Sequence, residues 1–211
     1  MDEENYWRVI ESERRSLAAQ LESLTDQQWE TPSLCAGWRV RDVAAHIALV
    51  PTAPGLWALF GGIVKVGGNP DRFNHDLAVA HARRPTAEIV AEIRDSADSR
   101  KLSRPTTVQN LAFDILVHGQ DIAIPLGINR PMPTDAAAVG AARVWRMGWP
   151  FWARRRFRGY RLVATDIGWS AGSGAEVAGP VGALLLLLTG RQAALSMVNG
   201  EGAEALRTRR P

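Results

Sequence analysis

The chain has 211 residues, of which 46% are hydrophobic, and its formal net charge is +3. This length and composition fit a globular protein with a full hydrophobic core, and they exclude a wholly disordered chain. The single cysteine, Cys35, excludes an internal disulfide, a four-cysteine zinc site and a CxxC redox pair, and it favours a reducing cytoplasm.

Two segments are rich in apolar residues, PTAPGLWALFGGIVKV and VGALLLLLTG. Both are shorter than the roughly 20 apolar residues that span a bilayer, so the sequence predicts no membrane span. The amino terminus, MDEENYWRVIESERR, is charged and lacks the apolar core of a signal peptide. These features predict a cytoplasmic protein.

The first half of the chain predicts four helices, because apolar residues recur there at helical spacing. Their expected ranges are about 4–24, 40–51, 85–99 and 106–124. The segment 51–72 is apolar but interrupted by glycine and proline, which predicts an irregular or broken helical stretch. Such a stretch suits the wall of a pocket, and it equally suits a buried connector.

The second half begins with a fifth helix, expected over about 135–152, and then changes character. Residues 160–165 alternate as a strand does, and 176–178 is the expected partner strand across a glycine-rich turn. A helix through Leu188 and a shorter one near Ala203 follow. Together these elements predict a mainly α fold, in which a four-helix bundle over 1–153 precedes a small C-terminal α/β extension of β-hairpin plus helix over 154–211.

The basic cluster Arg154-Arg155-Arg156-Phe157-Arg158 is the one concentration of positive charge. We interpret it as a solvated or anion-facing edge, because a nucleic-acid surface would show more basic residues interleaved with aromatics. The sequence therefore predicts no membrane partner, and binding of nucleic acid through Arg154 to Arg161 is the weaker alternative. It does not fix the oligomeric state, and a homodimer is one assembly that it allows.

Helical bundles build metal sites from inward side chains on facing helices. His46 lies within the apolar helix VAAHIALV, while Asp114 and His118 are four residues apart in FDILVHGQDI and so share one helix face. Two imidazoles and a carboxylate suit Zn²⁺, and also Ni²⁺, Mn²⁺ or iron. Three protein ligands leave an open position, which is typical of catalytic rather than structural zinc.

Each of these residues also has a purely structural interpretation. A histidine on an apolar helix face is often a hydrogen-bonded core residue, and an aspartate four residues before a histidine is often half of a surface ion pair. Asp121, one turn after His118, is the candidate to accept the other ring N–H of that histidine. His75 and His81 lie in the polar stretch RFNHDLAVAHARR, so we interpret them as surface residues.

Three further residues have candidate roles. Cys35 has no histidine beside it in the sequence, so packing within its loop is favoured over a nucleophilic role. Trp38 is expected to anchor that loop against the bundle. Arg191 is a candidate contact for an anionic cofactor or substrate, although a positive charge at a helix C-terminus explains it as well.

The segment PSLCAGWRVRDVAAHIALV resembles the signature C-x-G-W-x-V-x-D-v-x-x-H of the mycothiol-dependent maleylpyruvate isomerase family, within the DinB-like superfamily. The segments DILVHGQDIAIPLG, RLVATDIGWSAG and LLLLTGRQAAL are similar to later blocks of that family, so the resemblance runs from Trp29 to about Leu206. It implies a DinB-like metal-binding bundle and a small α/β tail. Two positions depart from the family pattern: Asp114 stands where glutamate is common, and Arg39 stands where a small hydroxyl residue often caps the helix.

The resemblance implies a cytoplasmic enzyme that uses a divalent metal and a low-molecular-weight thiol, mycothiol, for isomerisation or S-transfer onto a small electrophile. It places the metal, with Zn²⁺ first and Ni²⁺ or Mn²⁺ as alternatives, on His46, Asp114 and His118, where it would activate the thiol as thiolate. The alternative is a non-catalytic DinB-like protein that binds metal or is associated with stress.

Overall fold

The computed structural model describes residues 1–50, 70–102 and 106–208. The helices of the first part are α1 Glu3–Glu22, α2 Asp26–Trp29, α3 Val40–Leu49, α4 Pro70–His81, α5 Thr86–Asp95 and α6 Val108–Ala123. The second part contains α7 Thr134–Arg146, α8 Ala153–Arg156, β1 Tyr160–Ala164, β2 Ser170–Gly172, β3 Ala175–Gly179, α9 Val181–Leu188, a 3-10 helix Gln192–Met197 and α10 Glu201–Thr208. Each described helix is too short or too polar to cross a bilayer.

The chain divides into two compact units, Asp2–Arg130 and the residues from Pro131 onward. Helix α7 belongs to the second unit, because it packs against α9. The domain boundary expected from the sequence lies after residue 153, whereas the compact units divide after Arg130. The expected boundary stays a prediction of which part of the chain folds independently.

The first unit is a helical bundle in which α1 and α3 each pack against both α5 and α6. Helix α1 buries Ile10, Leu17 and Leu21, and α6 is buried along most of its length. The predicted fold class, mainly α with a small C-terminal α/β extension, is therefore confirmed. Helix α4, which packs against α3, was not predicted, and the interpretation of residues 51–69 lies outside the described residues.

Side chains at the helix starts satisfy backbone N–H groups that have no partner within the helix. Asp2 accepts from the backbone N of Asn5 at 2.8 Å before α1, and Thr107 accepts from the backbone N of Asn110 at 3.3 Å before α6. These caps fix where the two longest bundle helices begin.

A buried ion pair ties α1 to the end of the first unit. Nη2 of Arg130 lies 2.6 Å from Oε2 of Glu13, and the two side chains are only 7% and 10% exposed. The same guanidinium also donates hydrogen bonds to the side chains of Ser16 and Gln20 on α1, which satisfy further N–H groups of the buried cation. Each partner depends on the other, because an unpaired buried charge is costly.

The second unit contains a three-stranded sheet in the order β2-β1-β3. Strand β1 pairs antiparallel with β2 and parallel with β3. The expected pairing of 176–178 with the first strand is confirmed, but the expectation that the two strands form a hairpin is wrong, because the antiparallel partner of β1 is β2. Residues 176–178 instead lie on the other side of β1, in parallel pairing.

Two glycines allow the chain to pass from β2 to the far side of β1. Gly172 and Gly174 have φ values of +85° and +117°, where side chains are strained. A Cβ atom on Gly174 would also lie 2.1 Å from the carbonyl oxygen of Gly159, which is too close for any side chain. The crossing therefore requires glycine at this position.

Candidate metal centre

The loop before α3 brings the side chains of Cys35 and Trp38 next to His118. The backbone N of Ser33 donates to the carbonyl of Trp38 at 2.9 Å, and the N of Trp38 donates to that of Cys35 at 3.0 Å. Gly37 has a φ of +79°, as the third residue of a turn of this kind requires. This tight loop fixes Cys35 and Trp38 immediately before α3.

The start of α3 is secured by an acidic side chain rather than by a hydroxyl. Asp42 accepts from the backbone N of Arg39 at 2.8 Å, and the Arg39 guanidinium binds the same carboxylate through Nε and Nη2. Burial raises the pKa of the Asp42 carboxyl, but the hydrogen bonds and charge of Arg39 outweigh it and leave that pKa below its ordinary value. The start of α3 is therefore stabilised even though Arg39 replaces the small hydroxyl residue that often caps this helix in the family.

The three predicted ligands converge from α3 and α6. Nε2 of His46 lies 3.9 Å from Oδ2 of Asp114, and Nε2 of His118 lies 3.4 Å from Oδ1 of the same carboxylate. The candidate ligand atoms of all three residues lie within 4.8 Å of one another. Tetrahedral zinc with bonds of about 2.0–2.1 Å holds its ligand atoms roughly 3.3 Å apart, so this donor set fits a divalent ion after small adjustments.

Exposure differs among the three side chains. His46 and His118 are 14% and 12% exposed, whereas Asp114 is 35% exposed. The imidazoles are therefore enclosed by the bundle, and solvent reaches the cluster on the side of the carboxylate. A closed side that holds ligands and an open side that admits a small molecule are the two features a catalytic metal site needs.

The Nδ1 atom of His118, on the side of the ring away from Asp114, is hydrogen-bonded to a buried carboxylate. This atom lies 2.9 Å from Oδ2 of Asp121, whose side chain is 0% exposed. Because an ionised carboxylate only accepts hydrogen bonds, Nδ1 of His118 carries a proton and donates a hydrogen bond to Asp121. This bond confirms the contact expected for Asp121 and leaves Nε2 of His118 directed at Asp114.

Cys35 is more closely involved than loop packing requires. Its thiol donates to Oδ2 of Asp121 at 3.0 Å and lies 3.7 Å from Nδ1 of His118. Cys35, His118 and Asp121 also form a second group of potential ligands, on the opposite nitrogen of the His118 ring. No local pattern predicts this contact, because Asp121 and Cys35 are far apart in the chain.

Trp38 contacts both candidate histidine ligands rather than only its own loop. Its ring centroid lies 5.3 Å from that of His46 and 6.4 Å from that of His118, and the latter pair is stacked with an interplanar angle of 22°. The indole therefore covers the two imidazoles, in addition to anchoring the loop.

The interpretation of His75 and His81 as surface residues is wrong. The indole Nε1 of Trp38 donates to Nδ1 of His75 on α4, and Nε2 of His81 lies 2.6 Å from Oε2 of Glu92. The polar stretch around them forms an amphipathic helix whose histidines face other elements, which its composition alone does not indicate.

The two candidate histidine ligands have opposite electrostatic environments. Burial, together with the charge of nearby His118, outweighs the carboxylate of Asp114 and lowers the pKa of His46 to about 4. Burial also lowers the pKa of His118, but the carboxylates of Asp114 and Asp121 outweigh it and raise that pKa well above its ordinary value. At neutral pH the first imidazole is therefore neutral and the second is protonated.

Arg191 lies in the second unit, next to the end of α9. Its Nη1 donates to the carbonyl oxygen of Thr189 at 2.8 Å. This contact matches the interpretation of Arg191 as a charge at a helix C-terminus. Its role as a contact for an anionic cofactor stays a prediction.

The fold and the donor cluster together define a class: a mainly helical protein with two imidazoles and a carboxylate gathered between two helices of its bundle. A family model described as the mycothiol maleylpyruvate isomerase N-terminal domain matches residues 10–123, more than half of the chain. The chain belongs to this family.

Two solved structures are similar to the chain over almost its whole length. The crystal structure of the mycothiol-dependent maleylpyruvate isomerase has a TM-score of 0.67 and 14% identity, covering 96% of this chain and 94% of that chain. A variant of that enzyme with one histidine replaced by alanine has a TM-score of 0.55 and 16% identity, with the same coverage. At such identities the likeness shows the fold alone. No curated protein matches the chain significantly.

Proposed function

We propose that this protein is a divalent-metal-dependent enzyme that uses a low-molecular-weight thiol, mycothiol, for isomerisation or S-transfer onto a small electrophile. The observation that carries the proposal is the convergence of His46, Asp114 and His118 from two helices of the bundle, in a chain of this family. The family supplies the first substrate to test, maleylpyruvate, and the donor set favours Zn²⁺ as the first metal, with Ni²⁺ and Mn²⁺ as alternatives.

His46, Asp114 and His118 would hold the ion, and the thiol would enter from the side on which Asp114 is exposed. When bound, the ion supplies a charge that ionises a thiol of pKa near 8.5, which is otherwise only about 3% thiolate at pH 7, a gain of roughly thirtyfold in the reactive form.

The other residues of the cluster act on the ligands. Asp121 fixes the ring of His118 through Nδ1, so that its Nε2 is directed toward Asp114. Trp38 covers both imidazoles with an apolar ring. Such support is required because ligands that are free to rotate bind an ion weakly.

The test combines metal analysis with a rate measurement. Protein purified without an affinity tag is analysed for its elemental content, and isomerisation of maleylpyruvate is then followed with mycothiol, before and after the metal is stripped. We expect His46→Ala to lose the metal and His118→Ala to lose both the metal and the activity. His81→Gln is the matched control, because it removes an imidazole of the same unit while a side-chain amide keeps a polar group near Glu92.

Turnover that survives both metal stripping and the His118→Ala substitution would refute the proposal. Stoichiometric metal binding without turnover on any thiol and electrophile pair would support the alternative, a non-catalytic DinB-like metal-binding or stress-associated protein.

A further inference from the structure

The second unit contains a cavity that the proposed function does not use. Its volume is about 1200 Å³, and its walls come from residues 150–152 and 155–157, the end of α9, the 3-10 helix and α10. Sites for small molecules and cofactors commonly enclose about 300–1,000 Å³, so the space is sufficient for such a ligand. The chemistry of the walls indicates which kind of ligand fits.

One part of the wall is aromatic. Phe151, Trp152 and Phe157 line the cavity. Trp152 is 52% exposed, which leaves much of a large apolar ring in contact with water. An exposed indole beside a cavity offers a stacking surface to a flat apolar ligand.

The backbone of Trp152 is in an unusual conformation. Its φ and ψ are 48° and 37°, and it is the one residue other than glycine with a positive φ among the described residues. Residues other than glycine rarely adopt this region, and such strained conformations cluster at active sites, ligand contacts and switch regions. A backbone hydrogen bond of 2.7 Å from Trp152 to the carbonyl of Gly148 helps to hold this conformation.

The cavity is also lined by three arginines, and among its described lining residues none is acidic. Arg207 is neutralised by Glu204, at 2.5 Å. Arg156 donates to the carbonyl oxygens of Leu187 and Leu188, which are neutral.

Arg155 is exposed, and its guanidinium makes no hydrogen bond or ion pair with any residue in the described part of the chain. With Arg156, it gives the cavity two positive charges that no carboxylate balances within the described residues. The ligand that complements this wall is therefore an anion.

We propose that this cavity binds an aromatic carboxylate, with its ring against Trp152 and its carboxylate paired with Arg155. The planar guanidinium of arginine matches a carboxylate through two parallel hydrogen bonds, and a charge-assisted bond of this kind is stronger than a neutral one. This assignment accounts for the anion-facing edge expected from the cluster 154–158. It goes beyond the proposed thiol chemistry and does not depend on it.

The test is calorimetric titration of the full chain with naphthoate as the probe and naphthamide as its uncharged analogue. We expect naphthoate to bind and naphthamide to bind at least about tenfold more weakly, because it cannot form the charge-assisted pair. We expect Arg155→Ala to weaken naphthoate binding by about fivefold or more and Arg155→Lys to weaken it less, since lysine keeps the charge without the planar geometry.

Two further variants make the result specific. Arg154→Ala removes the same charge from the neighbouring position, which does not line the cavity, so it should change affinity by less than about twofold. Trp152→Gly removes the ring with a residue that readily adopts a positive φ, so the chain should fold while naphthoate binds more weakly. Equal binding of naphthoate and naphthamide, equal losses in Arg154→Ala and Arg155→Ala, or no binding at millimolar naphthoate would each overturn the proposal.

Discussion

Oδ2 of Asp121 accepts two hydrogen bonds at once, from Nδ1 of His118 at 2.9 Å and from the thiol of Cys35 at 3.0 Å. The carboxylate is fully buried, so its position is fixed by these contacts and by the helix that carries it. The ring of one proposed ligand is therefore oriented by a residue that does not itself belong to the set formed by His46, Asp114 and His118.

The first prediction concerns this support. Asp121→Asn preserves the shape of the side chain but removes its charge, so Nδ1 of His118 is held less firmly. We expect Zn²⁺ affinity, measured by calorimetry, to fall about 10- to 100-fold. Cys35→Ser, which keeps a donor to Asp121, should change affinity by less than about threefold. If serine at position 35 weakened Zn²⁺ as much as asparagine at position 121, the ion would lie on the Cys35 side of the ring instead.

The second prediction is a pH dependence of metal binding. His46, with a pKa of about 4, is already neutral above pH 5, whereas His118 has a raised pKa and must lose a proton from Nε2 before it can bind an ion. Affinity for Zn²⁺ should therefore rise about tenfold per pH unit below the pKa of His118. Calorimetry in two buffers of different ionisation enthalpy should count one proton released. A pH-independent affinity, or release of two protons, would contradict these protonation states.

The third prediction tests the buried pair of Glu13 and Arg130. Glu13→Ala leaves a guanidinium that is 7% exposed without its counter-charge, so the free energy of unfolding should fall by about 3 kcal/mol or more. Urea titration measures this change. Glu11→Ala is the matched control on the same helix, because its pair with Arg15 is largely exposed and should contribute less than about 1 kcal/mol. A similar decrease in the free energy of unfolding in the two variants would contradict the prediction, since it would mean that burial does not increase the contribution of the Glu13 pair.

The fourth prediction concerns the start of α3. The folded-state pKa of Asp42 is lowered, so its contribution to stability is complete above its unfolded pKa of about 3.9 and is lost as the pH falls through the lower folded value. Asp42→Asn should therefore lower the free energy of unfolding by about 1–2 kcal/mol at neutral pH. The difference between the two proteins should shrink and then disappear as the pH falls through the lowered folded pKa of Asp42. A difference that persists unchanged in acid would show that ionisation of Asp42 has no part in it.

Much of the fold could be predicted from the sequence, because helical periodicity is a local property. The starts of α3 and α6 and the shared face of Asp114 and His118 follow from spacing within one helix. The approach of His46 to these residues required the further expectation that the helices pack as a bundle.

The remaining features depend on contacts between distant parts of the chain. No local pattern shows that 176–178 pairs with β1 in parallel, since the alternation of a strand is the same in either direction. The bond from Trp38 to His75 joins a loop to a helix that composition alone did not predict. The contact between Cys35 and Asp121 depends likewise on how the loop before α3 folds onto α6.

The proposed ligands come from two helices that are distant in the sequence, α3 and α6. An ion bound by both would cross-link the bundle, while the unfolded chain would hold it only weakly. Binding would then add to the free energy of unfolding in proportion to the logarithm of the free metal concentration. Because the unfolded fraction governs degradation in the cell, the supply of that metal would determine how much of the protein accumulates, in addition to how much of it is active.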